Sequence, residues 1–242
     1  MKHHTSINIR TSMVNEWDHF TIHGYEDLFM QVLEDHLYEL STPKMKQDHI
    51  SWVLLSMAIE VNHYIHRGEH LEADIFDTEI IGPVIRKDIG FYRDGTLVIT
   101  AVAYMALMDL DARKIYKGDM QDYCDTFCFR EKLMEANSRI SVDLDLAEAN
   151  LHEVQVQASC IDALGHCNNE RYFAMIYNTM DEQHQSMYGF HRLEISFLRE
   201  VRKHERLKVY GTTQGDTFVV RGIREDGITS FMARLTYDKT PE

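Results

Sequence analysis

The chain of 242 residues is poor in the features that mark several protein classes. Its four cysteines match neither a small disulfide framework nor paired zinc knuckles in their spacing, so we expect reduced thiols. The longest apolar stretches, such as residues 101–108, fall well short of the roughly 18 to 20 residues that cross a bilayer, so no membrane span is predicted. Residues 1–20 contain no apolar run that ends in small residues, and we therefore expect no secretory signal and a cytoplasmic location.

Positive charge is also scarce. The formal net charge is −14, from 39 acidic and 25 basic residues. Nucleic acids and anionic lipids attract basic surfaces, so this balance argues against a nucleic-acid partner and against general membrane attraction. What remains is 44% hydrophobic and 26% charged, which is typical of a globular protein, and the length permits one large domain or two small ones.

Hydrophobic periodicity predicts two helices. In the first, apolar side chains recur at helical spacing from Tyr25 to Leu40. In the second they recur from Tyr172 to Met187, and we expect that helix to end near Gly189. The residues after each helix are rich in valine, isoleucine and threonine and are broken by glycine and aspartate turns, which predicts antiparallel strands.

The segments after the two helices resemble each other. Residues 55–61 align with residues 195–201, and farther along residues 91–95 align with residues 223–227. This repetition suggests an internal duplication. The alternative is that any two strands share a few apolar positions by chance.

Residues that could carry chemistry collect at the start of the second helix. Asp162 and His166 precede it, and Gly165 between them allows the tight turn that would bring both near the helix start. The free backbone N–H groups at Asn168 and Asn169 carry partial positive charge, so they could hold a carbonyl oxygen and the oxyanion that it becomes. Histidine and a partly desolvated carboxylate can serve as bases near neutral pH.

Glu200 is a further candidate base. It interrupts an apolar alternation, and the duplication would place it on the strand after the second helix. A structural interpretation stays open on spacing alone, with Asp162 and Asn168 as turn and cap residues, His166 bonded to its own loop and Glu200 as a surface charge. No metal or other cofactor is needed for either interpretation.

Two clusters elsewhere invite a function. Three histidines, His63, His66 and His70, suggest a metal site, but strand alternation would send His63 and His66 to opposite faces, so we expect none. The second cluster concentrates positive charge in an acidic chain and consists of Arg199, Arg202, Lys203, Arg206 and Lys208. It would suit an acidic protein partner or, equally, a solvated strand edge.

Residues 162–172, with the pattern Asp-x-x-Gly-His-x-Asn-Asn-x-x-Tyr, resemble the active-site motif of the acyl-acyl-carrier-protein (acyl-ACP) thioesterases and their hotdog-fold relatives. Blocks at residues 24–26, 52–61, 86–109 and 199–200 resemble the same family in the same order, so nearly the whole chain is covered. The resemblance implies hydrolysis of fatty acyl-ACP to free fatty acid. It also implies that ACP is the partner, which the basic cluster could dock.

The same resemblance implies an α+β fold, a tandem (double) hotdog in which each half is a long helix wrapped by an antiparallel sheet. Residues 1–135 would form the first unit, with the acyl-chain pocket, and residues 136–242 the second, catalytic unit. The join would fall at the charged residues 130–140, before the strand-like residues 139–146. A homodimer is expected from the resemblance alone.

The family's catalytic aspartate, histidine and glutamate fall on Asp162, His166 and Glu200. Leu164 stands where many members have asparagine, which places a role for that amide in doubt, and Val201 replaces the cysteine of plant members. We interpret the neighbouring thiol of Cys167 as a packing group. An acyl-coenzyme A thioesterase of the hotdog superfamily, or a hotdog protein that binds acyl groups without hydrolysis, remains an alternative.

Overall fold

The computed structural model describes residues 3–124, 126–186 and 190–237. The helices are α1 (Ile22–Leu40), α2 (Pro43–Gln47), α3 (Asn169–Tyr177) and α4 (Glu182–Ser186). The strands are β1 (His3–Asn8), β2 (Ile50–Val61), β3 (His70–Ile81), β4 (Val84–Arg93), β5 (Thr96–Asp109), β6 (Lys114–Ile115), β7 (Asn150–Gln155), β8 (Arg192–Phe197), β9 (Arg206–Gln214), β10 (Thr217–Arg224) and β11 (Thr229–Thr236). None of the described helices is long and apolar enough to cross a membrane.

The described strands form one antiparallel sheet of 11 strands. Its order is β1-β3-β4-β5-β2-β8-β11-β10-β9-β7, with β6 paired to β5. The two ends of this list repeat one pattern, since β1, β3, β4, β5 and β2 correspond to β7, β9, β10, β11 and β8. The halves meet where β2 pairs with β8, and there Ser56 lies directly opposite Ser196. This repeated order is what an internal duplication predicts.

The first predicted helix is confirmed as α1. Thr21 caps it, since its hydroxyl oxygen accepts a hydrogen bond from the backbone N–H of Gly24 at 3.1 Å. One face of the helix is buried against the sheet, and its most enclosed side chains are Leu28, Phe29 and Val32. Each contributes roughly 1.5–3 kcal/mol by leaving water.

The second helix is shorter than the sequence predicts. The structure ends α3 at Tyr177, and a separate short helix, α4, follows. The break has a local cause. The hydroxyl of Thr179 donates a hydrogen bond to the carbonyl of Ile176 at 2.7 Å, in place of the backbone N–H that would continue the helix. The predicted end near Gly189 lies outside the described residues.

The strand expected at residues 139–146 is also wrong. Alternate side chains of this segment, Ile140, Val142 and Leu144, are buried as the pattern predicts, but the segment crosses the face of the sheet instead of pairing along an edge. Its backbone bonds to side chains, since the N–H of Ile140 donates to the hydroxyl of Ser196 at 3.0 Å. A buried segment can therefore alternate like a strand without a strand partner.

Candidate active site

Asp162 organises the loop that leads into α3. One of its carboxylate oxygens accepts hydrogen bonds from the backbone N–H groups of Leu164, at 2.9 Å, and His166, at 3.3 Å. The other lies 3.1 Å from Nδ1 of His166. Gly165 occupies the left-handed region, with φ of 82°, which glycine adopts without strain. The structure thus brings two predicted site residues into direct contact.

Electrostatics at this point favour ionised Asp162 and make the imidazole of His166 more basic. Burial raises the pKa of Asp162, but the hydrogen bond and charge of His166 and the two backbone hydrogen bonds together outweigh it, so the pKa is lowered overall. Burial lowers the pKa of His166, yet the hydrogen bond and charge of Asp162 outweigh it, so that pKa is raised, with a contribution from Glu200. The Asp162 contact holds the proton on Nδ1 and leaves Nε2 as the other ring nitrogen for proton exchange.

The N-terminus of α3 begins directly after this pair. Asn168 is the cap, and its side-chain oxygen accepts a hydrogen bond from the N–H of Glu170 at 3.2 Å. The amide of Asn168 therefore serves the helix, and Asn169 is its first residue. Beside this terminus lies a cavity of about 430 Å³, bounded on its other side by α1. It is lined by Ser12, His23, Glu26, Asp27, Met30, Gln31, Glu34, Asn168 and Glu170.

Glu200 lies in the loop after β8, beyond the end of the strand on which it was expected. It does not bond to Asp162 or His166, although the N–H of Cys167 donates to the carbonyl of Val201 at 2.8 Å and holds the two loops side by side. Arg202 donates two hydrogen bonds to one oxygen of Glu200, at 2.8 and 3.1 Å. Burial raises the pKa of Glu200, but its arginine partners outweigh that effect and lower it.

Arg113 is the second arginine that binds Glu200, and it was not among the site residues predicted from the sequence. It lies in the turn between β5 and β6, in the other half of the chain. Its guanidinium donates to the second oxygen of Glu200 and, at 3.0 Å, to the carbonyl of Leu164. Arg113 thus ties Glu200 to the Asp162 loop. A lone arginine in a polar turn gives no sequence signal for this contact.

The predicted basic cluster is partly neutralised. Three of its cations pair with carboxylates: Arg202 with Glu200, Arg206 with Glu225, and Lys208 with Glu153. Within the described residues, Arg199 and Lys203 form no ion pair. The free positive charge of this surface is therefore smaller than the sequence suggests.

The histidine cluster noted in the sequence runs from the loop after β2 to the start of β3. His63 and His66 lie in the loop after β2, not within a strand as expected. Among the residues that the structure describes, the potential metal ligands that lie together are His3, His36 and Glu39, with ligand atoms within 4.8 Å of one another, and the ammonium of Lys87 lies 3.2 Å from Nε2 of His36. A cation beside that nitrogen disfavours a metal.

Cys167 is 2% exposed, and burial raises the pKa of its thiol to about 12. A thiol held in its neutral form is a poor nucleophile, because the thiolate is the reactive species. This environment agrees with the packing role expected from the sequence.

The first half of the chain contains a loop of the same geometry before α1. The side-chain oxygen of Asn15 accepts hydrogen bonds from the N–H groups of Trp17, at 3.1 Å, and His19, at 2.9 Å. Asn15 thus occupies the position of Asp162, and His19 that of His166. The cavity at the start of α1 measures only about 20 Å³. The first loop keeps the backbone frame but has neither the carboxylate nor the open space.

Comparisons with known proteins agree with this architecture. The description "Acyl-ACP thioesterase N-terminal domain" matches residues 1–127, and "Acyl-ACP thioesterase C-terminal domain" matches residues 144–238. An acyl-ACP thioesterase from Bacteroides thetaiotaomicron has a similar fold, with a TM-score of 0.82 at 18% identity over 98% of each chain. A 12:0-ACP thioesterase from Umbellularia californica superposes with a TM-score of 0.88 at 14% identity, over 98% of this chain and 97% of that one.

The comparison with curated proteins gave no match. The structural likenesses, at such low identity, establish a shared hotdog-like fold. The two sequence matches establish more, because they follow each other in the expected order and the first of them alone covers half of the chain. The chain therefore belongs to the acyl-ACP thioesterase family.

Proposed function

We propose a mechanism for this chain, which is a thioester hydrolase that acts on acyl-ACP. The observation that carries the proposal is the hydrogen-bonded pair of Asp162 and His166 immediately before the capped start of α3. A carboxylate that fixes the orientation of an imidazole, next to backbone N–H groups that can stabilise an oxyanion, is an arrangement suited to acyl transfer.

In the proposed reaction, Nε2 of His166 takes a proton from a water molecule, and the hydroxide oxygen attacks the thioester carbonyl. Asp162 stabilises the resulting imidazolium. The carbonyl oxygen becomes an oxyanion held at the start of α3 by the N–H of Asn169, since the N–H of Asn168 donates to the carbonyl of Cys160 at 2.8 Å. Collapse of this intermediate breaks the carbon–sulfur bond, and the departing thiolate takes the proton back from His166. The products are a free fatty acid and holo-ACP.

We assign Glu200 to the placement of the water and of the loop. Its lowered pKa makes it a weaker base than we expected from the sequence, since two arginines bind its oxygens. The oxygen that Arg113 binds has a second lone pair, so Glu200 can still accept a hydrogen bond from water there. Replacement of Glu200 by glutamine should therefore lower kcat less than replacement of Asp162 by asparagine.

We also propose that the chain is a tandem of two hotdog units, residues 1–135 and 136–242. The repeated strand order and the separate matches to N- and C-terminal domains support this division. The second unit would be catalytic, since it carries Asp162 and His166. The first would hold the acyl chain, and its long helix α1 over an apolar sheet suits that role.

The surface of Arg199, Arg202, Lys203, Arg206 and Lys208 is our proposed docking site for ACP. Its support is the location of the cluster beside Glu200 in a chain of net charge −14. Arg199 and Lys203 are the cations to test, because they form no ion pair among the described residues. The double variant R199E/K203E should raise KM for acyl-ACP at low salt and leave KM for acyl-coenzyme A unchanged; an equal rise for both substrates would contradict docking.

Two coarser features remain proposals. A homodimer rests on the likeness to hotdog proteins, and sedimentation analysis of the purified chain would test it. A cytoplasmic location is supported by the four cysteines, all of which are free thiols.

The experiment that tests the mechanism is thiol release from acyl-ACP and acyl-coenzyme A substrates of graded chain length. Wild-type protein, D162N and E200Q would be compared. We expect hydrolysis of acyl-ACP by the wild type, near-complete loss in D162N and partial loss in E200Q. Faster turnover of acyl-coenzyme A would favour the alternative carrier, and tight acyl binding without turnover would favour an acyl-binding protein.

A further inference from the structure

Glu26 is the most unusual side chain near the candidate site. It lies on α1 and is 2% exposed, and its Oε1 atom is buried without a hydrogen-bond partner in the described structure. The corresponding position of α3 is Phe173, which is fully buried in the core. A buried carboxyl group without a hydrogen-bond partner destabilises the fold. Its presence where the other half has phenylalanine therefore points to a use.

The protonation of Glu26 follows from its surroundings. Burial and the nearby carboxylate of Glu170 raise its pKa to about 8, with smaller contributions from Asp27 and Glu34 in the same direction and from Arg171 in the opposite one. At neutral pH Glu26 is thus mainly a neutral acid, which can donate a hydrogen bond as well as accept one. The half-buried His23 also faces this cavity, and burial lowers its pKa, so it adds little positive charge.

Glu26 lines the cavity of about 430 Å³ beside the start of α3. This volume lies within the range of about 300–1,000 Å³ that is usual for small-molecule sites. The corresponding cavity at the start of α1 measures about 20 Å³ and is lined by larger side chains, such as Tyr177, Met180 and Phe190. The cavity next to the proposed oxyanion site is thus by far the larger of the two.

The chemistry of the lining selects the ligand. Met30 is its single apolar side chain, so the cavity does not suit a fatty acyl chain. Carboxylates at Asp27, Glu34 and Glu170 would repel a phosphate or a fatty acid anion. Donors are present in Glu26 and Gln31 and acceptors in the carboxylates, which together match a neutral chain of amide groups.

We propose that this cavity binds the uncharged, amide-bearing pantetheine arm that joins the thioester to its carrier, with Glu26 donating a hydrogen bond to one of its carbonyl oxygens. The inference rests on the proposed function, because the thioester must lie at the start of α3. The arm is the same on ACP and on coenzyme A, so the cavity would serve either carrier. Glu26 is a binding residue in this scheme and takes no proton from the reacting atoms.

Three variants separate binding from structure. Glu26→Leu removes the donor and places an apolar group where the other half has Phe173, so we expect it to fold and to melt at a higher temperature than the wild type. Glu26→Gln keeps a neutral donor but does not titrate. Asp35→Asn removes one carboxylate from the exposed face of the same helix and serves as the control.

The kinetic test uses two thioesters with the same acyl chain, one of pantetheine and one of 2-mercaptoethanol, which has no amide. We expect E26L to raise KM for the pantetheine thioester about tenfold, as the loss of one hydrogen bond would. KM for the 2-mercaptoethanol thioester should change less than twofold. E26Q should keep the wild-type KM at pH 7. The KM of the wild type should rise above pH 8, where Glu26 ionises, and E26Q should abolish this rise.

Direct binding keeps the test independent of turnover. The probe is an S-alkyl pantetheine, a thioether that the enzyme cannot hydrolyse, titrated into wild type and E26L by calorimetry. Weaker binding to E26L supports the proposal even if the wild type hydrolyses no substrate, an outcome that would overturn the proposed function instead. Equal binding to both proteins, an equal KM change for both thioesters, or an alkaline limb that persists in E26Q would overturn the role of Glu26.

Discussion

The loops before α1 and before α3 share a backbone and differ in chemistry. In the first, the N–H of Asn15 donates to the carbonyl of His19 at 2.9 Å; in the second, the N–H of Asp162 donates to the carbonyl of His166 at 3.0 Å. Each loop then ends in a polar residue that caps its helix. Asn15 and Asp162, at corresponding positions, differ in one side-chain group. The amide of asparagine cannot provide the negative charge of the aspartate carboxylate.

This difference shows which parts of the motif build the turn and which perform chemistry. The backbone bonds that Asp162 accepts are also accepted by Asn15, so folding of the loop does not require a charge. The raised pKa of His166 does depend on charge, since Asp162 is the main cause of it. The structural interpretation of this motif thus concerns the backbone bonds that the side chain accepts, and the functional interpretation that we propose concerns the charge of the same side chain.

The largest expected effect comes from making the second loop like the first. In D162N the turn should persist, because asparagine accepts the same backbone bonds, while kcat should fall about 10²–10⁴-fold, the usual loss when a base is disabled. Thiol release and thermal melting would be measured together. The matched change N15D should leave kcat within about twofold; a large loss there, or none in D162N, would contradict the division of roles between the halves.

A second contrast concerns how the free energy of unfolding depends on pH through two buried titratable groups of α1, Glu26 and His36. The folded pKa of Glu26 is raised to about 8, so the native state retains a proton that the unfolded chain releases, and the free energy of unfolding should fall as pH rises from about 4.5 to 8. Burial and the ammonium of Lys87 lower the pKa of His36 to about 3, so stability should also fall as pH drops below about 6.5. Maximum stability is expected between pH 5 and 6.

Urea titrations from pH 4 to pH 9 would measure this curve. The decline attributed to Glu26 is on the order of 5 kcal/mol, at 1.36 kcal/mol for each unit of the rise from 4.5 to about 8. E26Q should flatten the alkaline side and leave the acid side unchanged. A variant curve parallel to that of the wild type above pH 6 would show that Glu26 is not protonated in the native state.

Arg113 gives a smaller and more local test. R113M removes the contacts with both Glu200 and Leu164, whereas R202M removes contacts with Glu200 alone. We expect kcat to fall roughly tenfold in R113M and less in R202M, since one charged hydrogen bond contributes about 1.5–3 kcal/mol when buried and less here, where the groups are partly exposed. In both variants the acid limb of the pH profile should move to higher pH, because the pKa of Glu200 rises when a cation is lost. Equal kcat in the two variants would remove the special role of the Leu164 contact.

The sequence predicted antiparallel strands after each helix and the approach of Asp162 and His166 to the start of α3, because local patterns encode both. It failed where a distant contact decides the outcome. Residues 139–146 alternate like a strand but cross the sheet, and Glu200 lies past the end of β8 with its oxygens held by arginines. The partner from the other half, Arg113, is remote in sequence and carries no motif. Glu26 belongs to residues 24–26, one of the blocks that resemble the family, but its burial without a hydrogen-bond partner depends on how α1 and α3 pack.

The smallest expected effect distinguishes the two helix caps. T21A and N168A each remove one side-chain bond to a helix N–H and should each cost about 1 kcal/mol of stability. Only N168A should also lower kcat, by roughly threefold to tenfold, because the proposed mechanism places the oxyanion at the first turn of α3 and no reacting atom at the first turn of α1. Urea titration and thiol release on the same preparations would separate the two effects. If both variants lost stability and neither lost activity, the oxyanion would have to be stabilised by groups other than the start of α3.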